Sequence, residues 1–181
     1  MPLVEPMEES KTQWDAAGCL EVLTFDLGSE TFALEAVLVR EILDLLPETA
    51  VPGALPLVGS VVNFRGKIIP IADLRLAFGM PAAVTTVDSR IVVIEIDIHG
   101  ELVQLGIRTD KVHEVATLRE ADAEEPPAVG MRWRRAYVRE LVRRQEGVIV
   151  LPDLAAIFEV VADAGDVAAG GPLVPLHRGS V

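Results

Sequence analysis

Residues that could perform catalysis are few in this 181-residue sequence, and they are widely separated. The three histidines are His99, His113 and His177, and none has a second histidine or a cysteine at metal-ligand spacing. No serine lies in a G-x-S-x-G elbow, and no glycine-rich phosphate loop opens a predicted helix. We therefore expect a non-catalytic protein with no metal site and no cofactor. An enzyme that uses His113 with nearby carboxylates is an open alternative.

Basic residues are concentrated in residues 132–144, a segment that also contains Trp133 and Tyr137. Arginines interleaved with aromatic residues are typical of nucleic-acid-binding strips, so an RNA-binding module is the alternative function. Apolar residues alternate with these arginines, however, and that pattern predicts a strand with arginines on its outward face. The candidates for a second protein-binding surface are Arg134, Arg135 and Arg139.

Charge and apolar content restrict the class of protein further. The formal net charge is −12, which disfavours binding to nucleic acid because phosphate affinity comes from lysine and arginine. No apolar run approaches the roughly 20 residues that span a bilayer, and the N-terminus does not resemble a secretion signal. The single cysteine, Cys19, excludes an intrachain disulfide. We expect a cytoplasmic protein that neither binds nucleic acid nor inserts directly into a membrane.

Arg65 is the cation best placed for a protein contact. It lies beside Gly66 between two apolar, β-branched runs at residues 57–64 and 67–71, which predicts the tip of a hairpin. A solvated turn residue is the simpler interpretation of such a position. A long planar cation flanked by Phe64 also suits a protein–protein interface, where arginine is enriched.

The elements that must position these residues are mainly β-strands. Leu23, Phe25 and Leu27 alternate with polar residues, and the chain then turns towards residues 31–34. Similar hairpins are predicted over residues 90–105 and 137–151. Helical signal is limited to short segments such as residues 74–78, for which Asp73 is a good N-cap.

An internal repeat divides the ordered chain in two. Residues 66–78 and 147–158 each predict a strand followed by a helical turn that begins with aspartate and carries a phenylalanine five residues later. We therefore expect two small β-barrel lobes within residues 19–161, with a boundary near residues 80–89. Residues 1–18 are expected to form a flexible arm, and residues 162–181 a disordered tail.

Two segments carry a resemblance to a known family. Residues 58–75, VGSVVNFRGKIIPIADLR, resemble the signature of the CheW family of chemotaxis coupling proteins, approximately G-V-x-N-L-R-G-x-[IV]-[IV]-P-[IV]-x-D-L-R. Residues 105–115, LGIRTDKVHEV, are similar to the family stretch G-[IL]-x-V-D-x-V-x-x-V. The resemblance covers about residues 20–160, with departures that include Ser60 in place of a usual glycine, Thr109 in place of valine and Glu140 in place of glycine.

The resemblance implies a fold and a function. The family is built from two SH3-like, five-stranded β-barrel subdomains with short helices, and its members have no known catalysis. They join the cytoplasmic tips of methyl-accepting chemoreceptors to the regulatory domain of the histidine kinase CheA. The implied localisation is cytoplasmic, in receptor arrays at the inner membrane. The resemblance implies three partner-binding residues: Arg65 of the signature, and Val39 and Glu41, which match the family's V-x-E-I segment at residues 39–42. We predict that Phe64 and Ser60 belong to the same partner-binding surface.

Overall fold

Alternating apolar residues build a mainly β protein. The structure, a computed structural model, describes residues 11–145 and 147–159. Twelve strands in the described residues form two six-stranded sheets. The first sheet contains, in spatial order, β10 (Ala123–Glu124), β11 (Val138–Arg144), β12 (Gly147–Pro152), β2 (Glu30–Glu35), β1 (Cys19–Leu27) and β9 (Lys111–Arg119).

The second sheet repeats this arrangement. It contains, in spatial order, β3 (Val39–Asp44), β7 (Arg90–Ile98), β8 (Glu101–Thr109), β6 (Lys67–Ala72), β5 (Ser60–Phe64) and β4 (Thr49–Ala50). The predicted fold class, mainly β with two SH3-like subdomains, is therefore confirmed. Each sheet has six strands among the described residues, where five were expected, because the two-residue strands β4 and β10 each add one at an edge.

The two sheets exchange hairpins. The β1–β2 hairpin comes from the N-terminal half, but it pairs with β9 and β12 from the C-terminal half. The β7–β8 hairpin pairs in the same way with β3 and β6. Both sheets therefore contain strands from each side of residues 80–89, and the prediction of two consecutive lobes divided there differs from the structure. Local patterning could not reveal this exchange, because the β2–β12 and β6–β8 pairings join distant parts of the chain.

The largest core lies between the two sheets, and strand alternation explains why. Leu23, Phe25 and Leu27 of β1 face this core together with residues of β7 and β8, whereas Val22 faces a second core on the other side of the first sheet. A third core lies on the far side of the second sheet and contains Ile71 among its aliphatic residues. Each sheet thus packs against a hydrophobic core on both of its faces.

A short helical segment follows the last long strand of each repeat, as predicted. Helix α1 (Leu74–Ala77) follows β6, and the Asp73 carboxylate accepts a hydrogen bond from the Arg75 backbone N–H at 3.2 Å. Residues 154–159 are helical after β12, and Asp153 accepts a bond from the Ala156 N–H at 3.0 Å. The repeated aspartates therefore act as N-caps, which satisfy backbone donors that have no partner within the helix.

The chain ends agree only in part with the prediction of flexible segments. Trp14, within the expected arm, packs partly buried against the core on the outer side of the first sheet. The Asp15 carboxylate accepts hydrogen bonds from the backbone N–H groups of Ala17 and Cys19, both at 2.8 Å, which fixes the entry into β1. Residues 1–10 and the predicted tail at 162–181 lie outside the described residues. In the part of the chain that is described, no helix has the length and apolarity required to cross a bilayer.

Candidate functional site

The β5–β6 hairpin presents Arg65 at its tip. Arg65 and Gly66 have φ angles of 51° and 78°, as the two central residues of a type I′ turn require. The Asn63 side-chain oxygen accepts a hydrogen bond from the Gly66 N–H at 3.1 Å and so supports the turn. A non-glycine residue in the left-handed region costs about 1–2 kcal/mol, so the backbone is strained at Arg65.

The Arg65 side chain connects two distant parts of the second sheet. Its guanidinium lies 4.7 Å from the ring centre of Phe64 and 3.2 Å from the Glu41 carboxylate. Glu41 belongs to β3, the edge strand, and three other strands separate β3 from β5 in the sheet order. The sheet must therefore curl until its edge strand approaches the hairpin. The Arg65 side chain remains 75% exposed and the Glu41 side chain 35% exposed, so both are accessible to a partner.

The structure brings together most of the predicted partner-binding residues. Phe64, Arg65 and Glu41 are in contact, and Val39 lies two residues before Glu41 on β3, half-buried against the core between the sheets. Ser60 begins β5, four residues from Phe64, and pairs with strands at the other end of the hairpin. A strand rises about 3.3 Å per residue, so Ser60 lies about 13 Å along the strand from the hairpin tip. It does not join the cluster around Arg65.

A polar network that was not predicted lies beside this cluster. Lys67 Nζ donates to Gln104 Oε1 at 3.4 Å, and Gln104 Nε2 donates to Glu95 Oε2 at 3.4 Å. Arg40 lies 3.7 Å from the other Glu95 oxygen. These residues belong to β6, β8, β7 and β3, so the network crosses four adjacent strands. With Arg65 and Glu41 they form a surface that we call the polar rim, whose six residues are Arg40, Glu41, Arg65, Lys67, Glu95 and Gln104.

The polar rim begins where the strands change from apolar to polar. On β7, Ile91 and Val93 face the third core, and Glu95 is the next residue on the same face. On β6, Ile71 and Ile69 face that core, and Lys67 follows in the same way. This change from apolar to polar residues in β6 and β7, which lie on either side of β8, was a signal in the sequence. Its meaning depends on the strand order, which the sequence alone did not provide.

Most arginines of residues 132–144 pair with acids of the same chain. Arg139 is 19% exposed and lies 2.5 Å from Glu35, and Arg135 lies 3.6 Å from Glu125. Further pairs join Arg132 to Glu30 at 3.3 Å and Arg143 to Glu124 at 2.5 Å. Arg134 is exposed and its guanidinium lies 5.8 Å from the ring centre of Tyr137. Four of the six arginines are thus paired with acids of the chain, and Arg139, the least exposed of the four, is occupied by an internal contact.

The histidine proposed for the enzyme alternative is held by a carboxylate. His113 Nε2 lies 2.7 Å from Asp26 Oδ2, and Thr31 Oγ1 donates to Asp26 Oδ1 at 2.9 Å. A hydrolytic triad needs the imidazole between the hydroxyl and the carboxylate, whereas here the carboxylate lies between the other two groups. An open groove of about 530 Å³ adjoins His113 and Thr31. Among the described residues, no group of three or more His, Cys, Asp or Glu side chains could hold a metal ion.

Buried Arg75 and half-buried Asp110 form an ion pair that sequence analysis missed. The Arg75 guanidinium, only 6% exposed, donates to the Asp110 carboxylate, which also accepts a bond from the Gly28 N–H at 2.6 Å. Partial burial raises the pKa of Asp110, but the bonds from Arg75 and Gly28 and the charge of Arg75 outweigh burial, so the pKa is lowered overall. The pair joins α1, which follows β6, to the turn between β8 and β9 and, through Gly28, to the β1–β2 turn of the first sheet.

Comparison with known proteins gives a consistent result. Residues 21–162 match the profile of the family described as the CheW-like domain. The chain is 30% identical over 141 residues to the chemotaxis protein CheW of Rhizobium meliloti (strain 1021), covering 78% of this chain and 88% of that protein. It is 23% identical over 139 residues to the chemotaxis protein CheW of Bacillus subtilis (strain 168), covering 77% and 86% respectively.

A solved structure shows the same fold. The crystal structure of the scaffolding protein TtCheW from Thermoanaerobacter tengcongensis superposes with a TM-score of 0.67 at 31% sequence identity. The match covers 77% of this chain and 92% of that chain. The two segments that carry the sequence resemblance, residues 58–75 and 105–115, both lie within the part of the chain that matches the family profile.

Proposed function

The chain belongs to the CheW-like domain family, whose members are scaffold proteins rather than enzymes, and from that membership we propose that it couples chemoreceptors to a CheA-type histidine kinase. Membership in the family by itself implies a non-catalytic chemotaxis adaptor. The proposal adds the partners: the cytoplasmic tip of methyl-accepting chemoreceptors and the regulatory domain of the kinase. It also adds the location, the receptor arrays at the inner membrane.

The observation that carries the proposal is the contact between Arg65 and Glu41. These residues come from two different motifs of the family resemblance and meet at 3.2 Å on an accessible surface. Phe64 supplies apolar area beneath the guanidinium, and half-buried Val39 extends the surface towards the core between the sheets. An exposed arginine on an aromatic ring, with apolar surface around it, matches the composition of interface hot spots.

A second partner surface is proposed at Arg134 and Arg135. Both are exposed, and they lie at the start of the short helical turn that leads into β11 of the first sheet. An adaptor that joins two proteins needs two separate surfaces, and this segment supplies the second one. Ser60 is not part of the proposed partner surface, because it lies at the far end of β5 from Arg65 and pairs there with Ile71.

The test is kinase activity in reconstituted receptor complexes that contain Arg65→Ala. Truncation of a buried interface arginine is expected to weaken binding by about 2 kcal/mol, roughly thirtyfold, and to abolish receptor-dependent activation. Arg143→Ala is the matched control, since Arg143 is also an exposed arginine paired with a glutamate, but on the other sheet. Full activity with Arg65→Ala, or an equal loss with Arg143→Ala, would remove Arg65 from the partner surface.

A further inference from the structure

The six side chains of the polar rim are not equally accessible. In both of its ion pairs the cation is the more exposed member: Arg40 is 47% exposed against 25% for Glu95, and Arg65 is 75% exposed against 35% for Glu41. Lys67 is also exposed, and its ammonium contacts the neutral amide of Gln104 and not a carboxylate. The carboxylates therefore lie beneath, and three cations face outward.

The charge of the polar rim differs in sign from the net charge of the chain. The formal net charge is −12, with 28 acidic and 16 basic residues, so the average surface repels acidic partners. The polar rim, in contrast, contains three cations and two carboxylates, and each cation makes a hydrogen bond or ion pair to another rim residue through its charged end. A local positive surface on an acidic protein directs an acidic partner segment to one place and disfavours its contact elsewhere.

We infer that the polar rim is the docking surface for an acidic segment of the partner that binds at Arg65, and that Arg40 and Lys67 recognise its carboxylates. The inference rests on the proposed function and adds the chemistry of the partner at that same site. Gln104 is the positioning residue for Lys67, whose ammonium donates to its side-chain oxygen, whereas Glu95 lies beside Arg40 and reduces the outward positive potential. Arg65 supplies the central contact with its planar donor fork.

The experiment measures the association rate of the full chain with the regulatory domain of a CheA-type kinase at several salt concentrations. The wild-type rate should fall as salt rises, because exposed charges are screened. Lys67→Glu should slow association about tenfold at low salt, and the difference should shrink at high salt. Lys111→Glu is the matched control: it makes the same charge change at an exposed lysine on β9 of the first sheet, and it should leave the rate within about twofold of the wild type.

A second variant changes the rate in the opposite direction. Glu95→Gln removes the carboxylate beneath Arg40 while keeping an oxygen that can accept the hydrogen bond from Gln104. Because the outward positive potential rises, association should become about two- to threefold faster at low salt. A merely structural role for Glu95 predicts slower binding or a lower melting temperature instead, so either result would overturn the inference.

The failure of this inference is distinguishable from failure of the proposed function. If the wild-type chain binds neither the kinase domain nor receptor fragments, the proposed function is wrong. If the wild-type chain binds, but with a rate that neither salt nor Lys67→Glu changes, the partner surface is apolar and the inference is wrong. If Lys67→Glu slows association with receptor fragments but not with the kinase domain, the acidic segment belongs to the receptor. If, in addition, Arg65→Ala weakens only kinase binding, then Lys67 and Arg65 contact different partners and the inference is wrong.

Discussion

The Arg75 guanidinium bonds to the Asp110 carboxylate and thereby joins the helix that follows β6 to the turn between β8 of the second sheet and β9 of the first. Asp110 also binds the backbone of Gly28 in the β1–β2 turn, so three separated segments meet at one carboxylate. Removing that carboxylate would leave the buried Arg75 charge without its partner. We therefore expect this pair to contribute to the stability of the whole chain and not to partner binding.

Asp110→Ala should lower the free energy of unfolding by roughly 2–3 kcal/mol, because it breaks a pair whose cation is buried. Asp88→Ala, at an exposed position in the loop before β7, is the control and should change it by less than about 0.5 kcal/mol. The check is denaturant unfolding at neutral pH. Equal stability of the wild type and the Asp110→Ala variant would contradict a structural role for the pair.

The same pair makes a prediction about acid unfolding. The pKa of Asp110 is lower in the folded chain than in the unfolded chain, so the unfolded state binds protons more readily. The stabilisation is fully present above the unfolded pKa of about 3.9 and is lost as the pH falls through the lower, folded value. The difference in melting temperature between the wild type and Asp110→Asn should therefore shrink below about pH 4. A difference that stays constant down to pH 2 would exclude titration of Asp110 as its cause.

The turn that carries Arg65 allows its binding role to be separated from its structural role. Arg65 has a φ of 51°, which glycine adopts without strain. Arg65→Gly should therefore keep or slightly raise the melting temperature, while receptor-dependent kinase activation is lost. Arg65→Lys should restore activation only in part, because an ammonium lacks the planar donor fork. A marked fall in the melting temperature of Arg65→Gly would assign Arg65 a structural role.

The second partner surface is tested by reversing two exposed charges. The double variant Arg134→Glu and Arg135→Glu should weaken pulldown of the kinase or the receptor fragment, while the melting temperature stays within a few degrees of the wild type. An RNA filter-binding assay on the same proteins examines the alternative function. Unchanged pulldown together with loss of salt-dependent RNA retention would favour the RNA-binding module.

Trp14 provides a test of how far the folded unit extends. Its side chain packs against a core formed by residues such as Val22 and Leu118. Removal of residues 1–18 should therefore lower the melting temperature, and so should Trp14→Ala in the full chain. Trp14→Phe should keep most of the stability that Trp14→Ala loses, because an aromatic ring still packs against the core. A melting temperature that is the same for the wild type and Trp14→Ala would mean that the segment before β1 does not stabilise the core.

Sequence patterns predicted local features well because each is encoded within a few residues. The alternation of Leu23, Phe25 and Leu27 predicted β1, and Asp73 predicted the start of α1. The contact between Arg65 and Glu41 could not be predicted from spacing, because it depends on the curl of a whole sheet. The order of Trp14 was missed for a related reason: a single anchoring side chain produces no periodicity.

The surface role of the arginine strip was also beyond local patterns. A run of arginines has the same appearance whether its charges are free or paired, and the acids that pair with Arg132 and Arg139 lie about a hundred residues earlier in the chain. The resemblance to a family indicated which residues form the candidate partner surface. The polar rim could be identified only once the strand order was known. Prediction failed wherever a feature depended on which strands are neighbours.

The exchange of hairpins between the sheets has a consequence for the symmetry of the protein. A chain with only one of the two repeats would leave its sheet without a β-hairpin, but two such chains could complete both sheets by donating hairpins to each other. The present molecule therefore has the geometry of an intertwined homodimer whose subunits are joined through residues 79–89. Each surface of the first sheet therefore has a counterpart on the second sheet that is built from equivalent strands but carries different side chains.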